Sequence, residues 1–180
     1  MISQSFFFLD KNISGKKIIL RKLERYDLET SISWLKDPAV NKFLSHNFKE
    51  LTIDEELQWF NSIQLSNKDI VFSIIAKDKN KYIGNCGLNR INWVSKTCEL
   101  GIVIGNKEYW NKGYGSDVID SITGVVINKL NLANIYLNVY EYNDRAIKAY
   151  KKCGFKLIKI LKKNHLYDNK YWDTFVMEYS

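Results

Sequence analysis

Apolar residues alternate from Lys17 to Lys22, which predicts an edge strand. Leu28, Ile32, Trp34 and Leu35 then recur at near-helical spacing up to the break at Pro38. Thr52 followed by Glu55 has the form of a capping box, and Leu57, Trp59, Phe60 and Ile63 carry an apolar helical stripe into the polar run at Ser66 and Asn67. Three β-rich runs follow, Ile70 to Ala76, Tyr82 to Ile91 and Thr97 to Ile104, separated by polar turns, and they predict an antiparallel meander. From Ser116, the positions Val118, Ile119, Ile122, Val125, Val126 and Leu130 keep a helical period. Ile135, Leu137 and Val139 then alternate as a strand, which completes one βαβ unit. Ala146, Ile147 and Tyr150 mark a short helix stopped at Gly154, and Phe155 to Leu161 with Tyr171 to Tyr179 read as a closing hairpin. The order β-α-α-β-β-β-α-β-α-β-β is mixed α/β.

A chain of 180 residues with 46% hydrophobic and 26% charged residues is enough for one soluble domain with a substantial core. Only Pro38 interrupts it as a proline, and no Pro/Gly/Ser-rich stretch marks a linker. Residues 1–15 are expected to be an N-terminal extension and residues 16–180 a single domain. The formal charge of +7 raises the question of nucleic acid. Most of that charge is lysine, and arginine occurs only at Arg21, Arg25, Arg90 and Arg145, so the bidentate forks that read bases are scarce. A solvated lysine-rich surface is the expectation, with no nucleic-acid partner but with an attraction for a phosphorylated cofactor. Cys86, Cys98 and Cys153 are widely spaced without a CxxC pair and read as reduced core thiols of a cytoplasmic protein with no metal site. His46 and His165 are the only histidines, and neither has a visible partner set. The apolar run Phe6 to Leu9 is cut short by Asp10 and Lys11, so no membrane segment is expected.

Candidate chemistry begins at Trp110-Asn111-Lys112-Gly113-Tyr114-Gly115-Ser116, between a strand and a long helix. The unpaired N–H groups and positive dipole end of a first helical turn favour a phosphate, and Gly113 and Gly115 let backbone approach it closely. By itself this turn is weak evidence. Lys112 precedes Gly113 rather than following it, against a Walker loop, and Val118 stands where a dinucleotide fingerprint needs its third glycine. A second run, Asn143 to Phe155, has Asn143 as N-cap and Gly154 as terminator. Asn143, Ala146, Ile147 and Tyr150 share one of its faces.

Together the two runs resemble the GNAT superfamily of acyl-CoA N-acyltransferases, in its branch of ribosomal-protein and polyamine acetyltransferases. The first match is Glu99-Leu100-Gly101-Ile102-Val103-Ile104 followed by Gly113-Tyr114-Gly115; the second is Asn143, Ala146, Tyr150, Gly154 and Phe155, which satisfies Asn-x-x-Ala-x-x-x-Tyr-x-x-x-Gly-Phe in full. One departure is Trp110, where the family usually has Arg or Gln, so that backbone amides and Lys112 carry more of the phosphate interaction.

The resemblance implies a GNAT fold: a mixed, mostly antiparallel sheet of about seven strands with about four helices and a splayed acetyl-coenzyme A cleft. It implies cofactor contacts from Ile102, Val103, Ile104, Lys112, Gly113, Tyr114, Gly115, Ser116, Asn143 and Arg145, with an oxyanion-binding N–H at a strand bulge near Ile102 or Val103. It places Tyr150 beside the sulfur as general acid. Glu99 is the carboxylate expected to relay a proton from the substrate ammonium, or else to be a plain surface charge. Trp34, Phe43, Trp59 and Phe60 are expected in the core, and Asp54, Glu55 and Glu56 at a solvated helix start. The implied activity is acetyl transfer to a primary amine of a small molecule such as a polyamine, amino sugar or aminoglycoside. A protein N-terminus as acceptor, or a non-catalytic coenzyme A binding module, are the alternatives, and a homodimer is compatible with each.

Overall fold

The computed structural model describes residues 12–179. Strands β1 (Ile13–Ser14) and β2 (Ile18–Lys22) lead through a 3-10 turn to helices α1 (Leu28–Lys36), α2 (Pro38–Asn41) and α3 (Ile53–Leu65). Strands β3 (Ile70–Ala76), β4 (Lys81–Asn92) and β5 (Thr97–Ile104) form the meander. Helix α4 (Tyr114–Asn128), strand β6 (Asn134–Tyr140), helix α5 (Asp144–Lys152) and strands β7 (Lys156–Tyr167) and β8 (Lys170–Tyr179) complete the chain. All eight strands join one sheet in the order β1-β2-β3-β4-β5-β6-β8-β7, antiparallel everywhere except between β5 and β6. The mixed, mostly antiparallel architecture expected from the sequence is thus observed, with β1 and α2 as additions too short for periodicity to reveal.

Local chemistry accounts for the element boundaries. Thr52 Oγ1 accepts from the Glu55 N–H at 3.3 Å while Glu55 Oε2 accepts from the Thr52 N–H at 2.8 Å, the reciprocal capping box that starts α3. Asp37 caps α2 through the Ala39 N–H, with Pro38 at the first helical position, where its missing donor costs nothing. The β7–β8 hairpin runs further than the alternation suggested. Lys162, Lys163 and Asn164 break the apolar pattern, but the turn at Asp168 and Asn169, both at positive φ, holds the strands together to Tyr167 and Lys170.

The sheet has two unlike faces. Cys86 and Leu88 of β4, Cys98 and Leu100 of β5, and Ile135, Leu137 and Val139 of β6 bury themselves against Val118, Ile119, Ile122 and Val126 of α4 and Ile147 and Tyr150 of α5. The alternate residues, among them Asn85, Gly87, Asn89, Glu99, Gly101, Tyr136 and Asn138, therefore stand on the opposite face. The turn leading into α1 packs on that second face, where Asp27 joins Arg21 and Ser73. A further link ties α4 to the edge of the sheet: the Asp117 carboxylate, 9% exposed, accepts from the backbone N–H groups of Lys16, Lys17 and Ile18.

Several expectations need correction. Trp34, Phe43, Trp59 and Phe60 are half-buried rather than core, and the buried residue of α3 is Glu56, at 5% exposure, with its carboxylate on the Ser31 hydroxyl. The helix face that looked apolar covers a polar patch because α3 packs on α1 rather than on the main core. The Phe6 to Leu9 run lies outside the described residues.

Candidate active site

Strands β5 and β6 pair only at their first residues, Thr97 with Asn134, Cys98 with Ile135 and Glu99 with Tyr136. Beyond Glu99 the two strands part, although β5 continues to Ile104 and β6 to Tyr140. Alternate backbone N–H and C=O groups of β5 past Glu99 thus face a gap with no strand among the described residues to meet them, while its other side stays paired with β4 up to Gly84 and Ile104. Unpaired strand edges of this kind are hydrogen-bonding surfaces for an extended amide-containing ligand. No register shift occurs in β5 between Glu99 and Ile104, so the bulge expected near Ile102 or Val103 is absent from that ladder; the irregularities fall in β4 instead, near Ile83 and at Arg90. The splay, not a bulge, frees the amides of Ile102, Val103 or Ile104.

The glycine turn stands at the open end of this gap. Gly113 is the N-cap of α4 in the left-handed region at φ 82°, and α4 begins at Tyr114, two residues earlier than the periodicity suggested. Tyr114, Gly115 and Ser116 therefore form its first turn, and an ideal Cβ on Gly115 would meet no atom within 4 Å. That vacancy and the unpaired first-turn amides suit a pyrophosphate. Lys112 lies beside them, joined by Lys17, whose Nζ donates to the Lys112 carbonyl at 2.8 Å. Lys17 is 95 residues away in sequence and carried no signal. Tyr114 itself turns inward, 8% exposed and edge-on to Tyr109, so only its backbone is available to a ligand.

Trp110 spends its indole N–H on the Ile104 carbonyl, at 2.6 Å, which closes off the end of β5. Over its ring, 3.7 Å from the centroid, lies the guanidinium of Arg145 from the first turn of α5. The same guanidinium is 5.7 Å from the centre of Phe43. Arg145 thus reaches across the mouth of the splay to the loop that lacks an arginine of its own. Burial depresses its pKa. Asn143 uses its Oδ1 to cap α5 through the Ala146 N–H, at 3.3 Å, which leaves its amide N–H groups for other partners.

Tyr150 and Glu99 stand on opposite faces of the sheet. Tyr150, on the α4 side, is 8% exposed and packs on Phe155, and its hydroxyl makes no hydrogen bond to the described residues. Burial, with a contribution from Cys86, pushes its pKa above the ordinary phenol value, so the proton stays on oxygen at neutral pH. Glu99 is the last residue of β5 to pair with β6, and both of its oxygens are engaged. Asn138 Nδ2 of β6 donates to Oε1 and Arg90 NH1 of β4 donates to Oε2, each at 2.8 Å. Neither Arg90 nor Asn138 was marked by the sequence. Their only local trace is a polar residue inside a strand.

A cluster around His165 was also missed. Its ring stacks on Tyr140 at 3.7 Å between centroids, and its Nε2 is 3.2 Å from the Tyr142 hydroxyl. Tyr142 donates its one proton to the Lys42 carbonyl, so its oxygen can only accept from His165, which assigns the proton to Nε2. Partial burial holds the imidazole pKa below its ordinary value. The cysteines are free, with Cys86 and Cys98 buried and burial pushing the Cys98 thiol to about 12.

A parallel pair that splays beside a glycine-capped helix start, with an Asn-capped helix supplying a tyrosine, is matched by one family model. The acetyltransferase (GNAT) domain model covers residues 17–156. The chain belongs to the GNAT acetyltransferase family. This GNAT chain is 28% identical to an uncharacterized N-acetyltransferase of Bacillus licheniformis over 78% of its own length and 80% of that protein. It is 30% identical to the spermidine N(1)-acetyltransferase of Vibrio cholerae over 78% of this chain and 80% of the relative. The crystal structure of a Vibrio cholerae spermidine N-acetyltransferase in complex with CoA and spermine superposes with a TM-score of 0.84, at 25% identity, covering 92% of this chain and 96% of that one. The protein is therefore an N-acetyltransferase of the acyl-coenzyme A dependent class, and the GNAT fold binds acetyl-coenzyme A. Among the described residues no helix is long and apolar enough to cross a membrane.

Proposed function

We propose that the protein transfers the acetyl group of acetyl-coenzyme A to the primary amine of a small molecule, with Tyr150 and Glu99 acting from the two faces of the splay. The observation that carries this reading is the gap beyond Glu99 and Tyr136, which offers unpaired β5 amides between an unbonded phenol and a carboxylate. Bound there, acetyl-coenzyme A supplies an acyl carbon already activated as a thioester.

The chain's own groups then divide the work. The first-turn amides of α4, with Lys17, Lys112 and Arg145, hold the phosphates. Amides of Ile102, Val103 or Ile104 that face the gap polarise the acyl oxygen. Asn143 steadies the arm. Glu99 attracts the acceptor ammonium and passes its proton to water. The neutral nitrogen then bonds to the acyl carbon, the carbon–sulfur bond breaks, Tyr150 gives its proton to the departing sulfur, and the proton shed by the new amide nitrogen restores the phenol. A retained Tyr150 argues against a silent binding module. The small-molecule acceptor is supported by the resemblance to spermidine acetyltransferases. A cytoplasmic setting is supported by the free thiols, and the exposed apolar residues Leu157, Ile158 and Ile160 of strand β7 favour a homodimer.

Release of free thiol from acetyl-coenzyme A, followed across a panel of amines and N-terminal peptides, tests this reading. Tyr150→Phe is expected to lower kcat by about tenfold to a hundredfold with little change in KM for acetyl-coenzyme A. Full turnover in that variant sinks the acid role, and failure of acetyl-coenzyme A to raise the thermal midpoint sinks the cofactor assignment.

A further inference from the structure

The Arg90–Glu99 pair bears on which amine the enzyme takes. Arg90 stands at an irregularity in β4 with φ 51°, a left-handed conformation that costs a non-glycine residue energy, and its backbone N–H is held by Asp69 Oδ1 at 3.0 Å. This kink brings its guanidinium onto Glu99. The Arg90 side chain is 74% exposed and the Glu99 side chain 18%, so the carboxylate is rooted in the sheet and the arginine is a solvent-facing arm with donors to spare.

The floor next to this pair is formed by two glycines with only the Asn89 amide against them. Gly87 and Gly101 are direct cross-strand partners on the same face as Glu99. A Cβ on Gly101 would meet only the Asn89 amide, at 3.3 Å, and one on Gly87 the same amide at 3.2 Å. The two glycines leave a shallow trough edged by Asn89, Glu99 and, across the splay, Asn138.

Of the other carboxyl groups at this face, Glu178 of β8, cross-strand from Tyr136, makes no ion pair among the described residues, while Asp27 and Glu56 are already answered. Asp27 is held by both terminal nitrogens of Arg21, each at 2.7 Å. Glu56 is buried on the Ser31 hydroxyl, and burial raises its pKa toward the neutral form. Glu99 has Arg90. An acceptor with two or three ammonium groups would find only Glu178, across Tyr136 from Glu99, as an unpaired carboxylate on this stretch of the sheet, and a chain of net charge +7 would repel it on approach. An acceptor that brings its own anion meets the opposite situation: a fork of guanidinium donors set beside a carboxylate, spaced for a negative and a positive group of one small molecule.

We infer that the acceptor carries an anionic group, a carboxylate or a phosphate, beside the amine it offers, with Arg90 taking the anion and Glu99 the ammonium. This rests on the acetyl-transfer reading and narrows its substrate class. Arg90 is then a specificity-determining residue, released in part from Glu99 as the acceptor's ammonium replaces it.

The test is thiol release from acetyl-coenzyme A with paired acceptors: an α-amino acid against its amide, glucosamine 6-phosphate against glucosamine, and spermidine. At least one anionic amine is expected to show a kcat/KM tenfold or more above both its neutral counterpart and spermidine, and the pair that shows it distinguishes carboxylate from phosphate. Arg90→Gln should raise KM for that acceptor tenfold or more relative to its neutral counterpart, leave KM for acetyl-coenzyme A unchanged, and be partly rescued by Arg90→Lys. Preference for spermidine, or an Arg90→Gln enzyme with the same KM for the anionic acceptor, overturns the inference while the acetyl-transfer reading stands. Absence of thiol release with every amine overturns both.

Discussion

The guanidinium of Arg145 lies 3.7 Å above the ring of Trp110, so the loop that lacks the usual motif arginine is served by one from helix α5. A cation on an indole face contributes about 0.5–2 kcal/mol, and here it holds a positive charge next to the first turn of α4.

On the proposed reading, that arrangement assigns Arg145 to cofactor binding. Arg145→Gln is expected to raise KM for acetyl-coenzyme A by roughly tenfold, the equivalent of one charge-assisted hydrogen bond, with kcat within about twofold. Steady-state kinetics with varied acetyl-coenzyme A check this. A similar rise should follow Trp110→Ala, which removes the surface the guanidinium rests on.

Asp117 carries structural weight that the glycine turn conceals. Three backbone N–H groups of Lys16, Lys17 and Ile18 lose their acceptor if it is removed, and all three are bound in the interior or close to it. Asp117→Ala is expected to cost about 3 kcal/mol of stability, read as a lower urea midpoint at unchanged m-value. Because Lys17 would shift too, acetyl-coenzyme A binding should weaken in parallel.

Two glycines of the meander separate stability from function. At Gly84 a Cβ would fall 2.0 Å from the Val103 carbonyl oxygen, a backbone atom that cannot step aside. Gly84→Ala should therefore destabilise the fold by about 3 kcal/mol or more. At Gly101 the only close neighbour is the flexible Asn89 amide. Gly101→Ala should fold with a stability loss of about 1 kcal/mol or less and yet raise KM for the amine, because the methyl fills the trough. Thermal unfolding and kinetics on the two variants together decide the matter.

Glu56 gives a pH signature. Its pKa is raised in the folded protein, chiefly by burial, so the folded state holds the proton more tightly than the unfolded chain. Stability is then greatest below the ordinary carboxylate pKa of 4.5, falls as pH rises from there to the raised folded value, and is level beyond it. Glu56→Gln should remove this decline, leaving the variant more stable relative to wild type at neutral pH than at acid pH. Urea midpoints across the range from acid to neutral measure it, and a difference that stays constant with pH counts against the assignment.

Most of the secondary structure was legible before any coordinates. The capping box at Thr52, the terminator Gly154, the meander and the βαβ unit all rest on interactions within a few residues, and each stands where the pattern placed it. The first turn of α4 was set two residues late because Tyr114 and Gly115 break the apolar period, while the helix starts at the left-handed Gly113. Trp34, Phe43, Trp59 and Phe60 were misplaced for another reason. Aromatic residues in such patterns look alike whether they enter a core or pack at its margin, and here Trp34 packs on Tyr82 and Phe43 on Tyr142, all half-buried.

The candidate site divides the same way. The turn at Gly113 to Ser116 and the helix from Asn143 to Tyr150 are contiguous segments, and the sequence located both, although it began α4 at Ser116 rather than at Tyr114. The partners that complete them, Arg90 and Asn138 on Glu99, Lys17 beside Gly113, Arg145 over Trp110 and Tyr142 on His165, meet across 9 to 95 residues. No local hydrogen bond or periodicity encodes such encounters. They arise only when the sheet order is set and β5 and β6 part beyond Glu99, and that parting, which opens the cleft, is a decision of the tertiary structure.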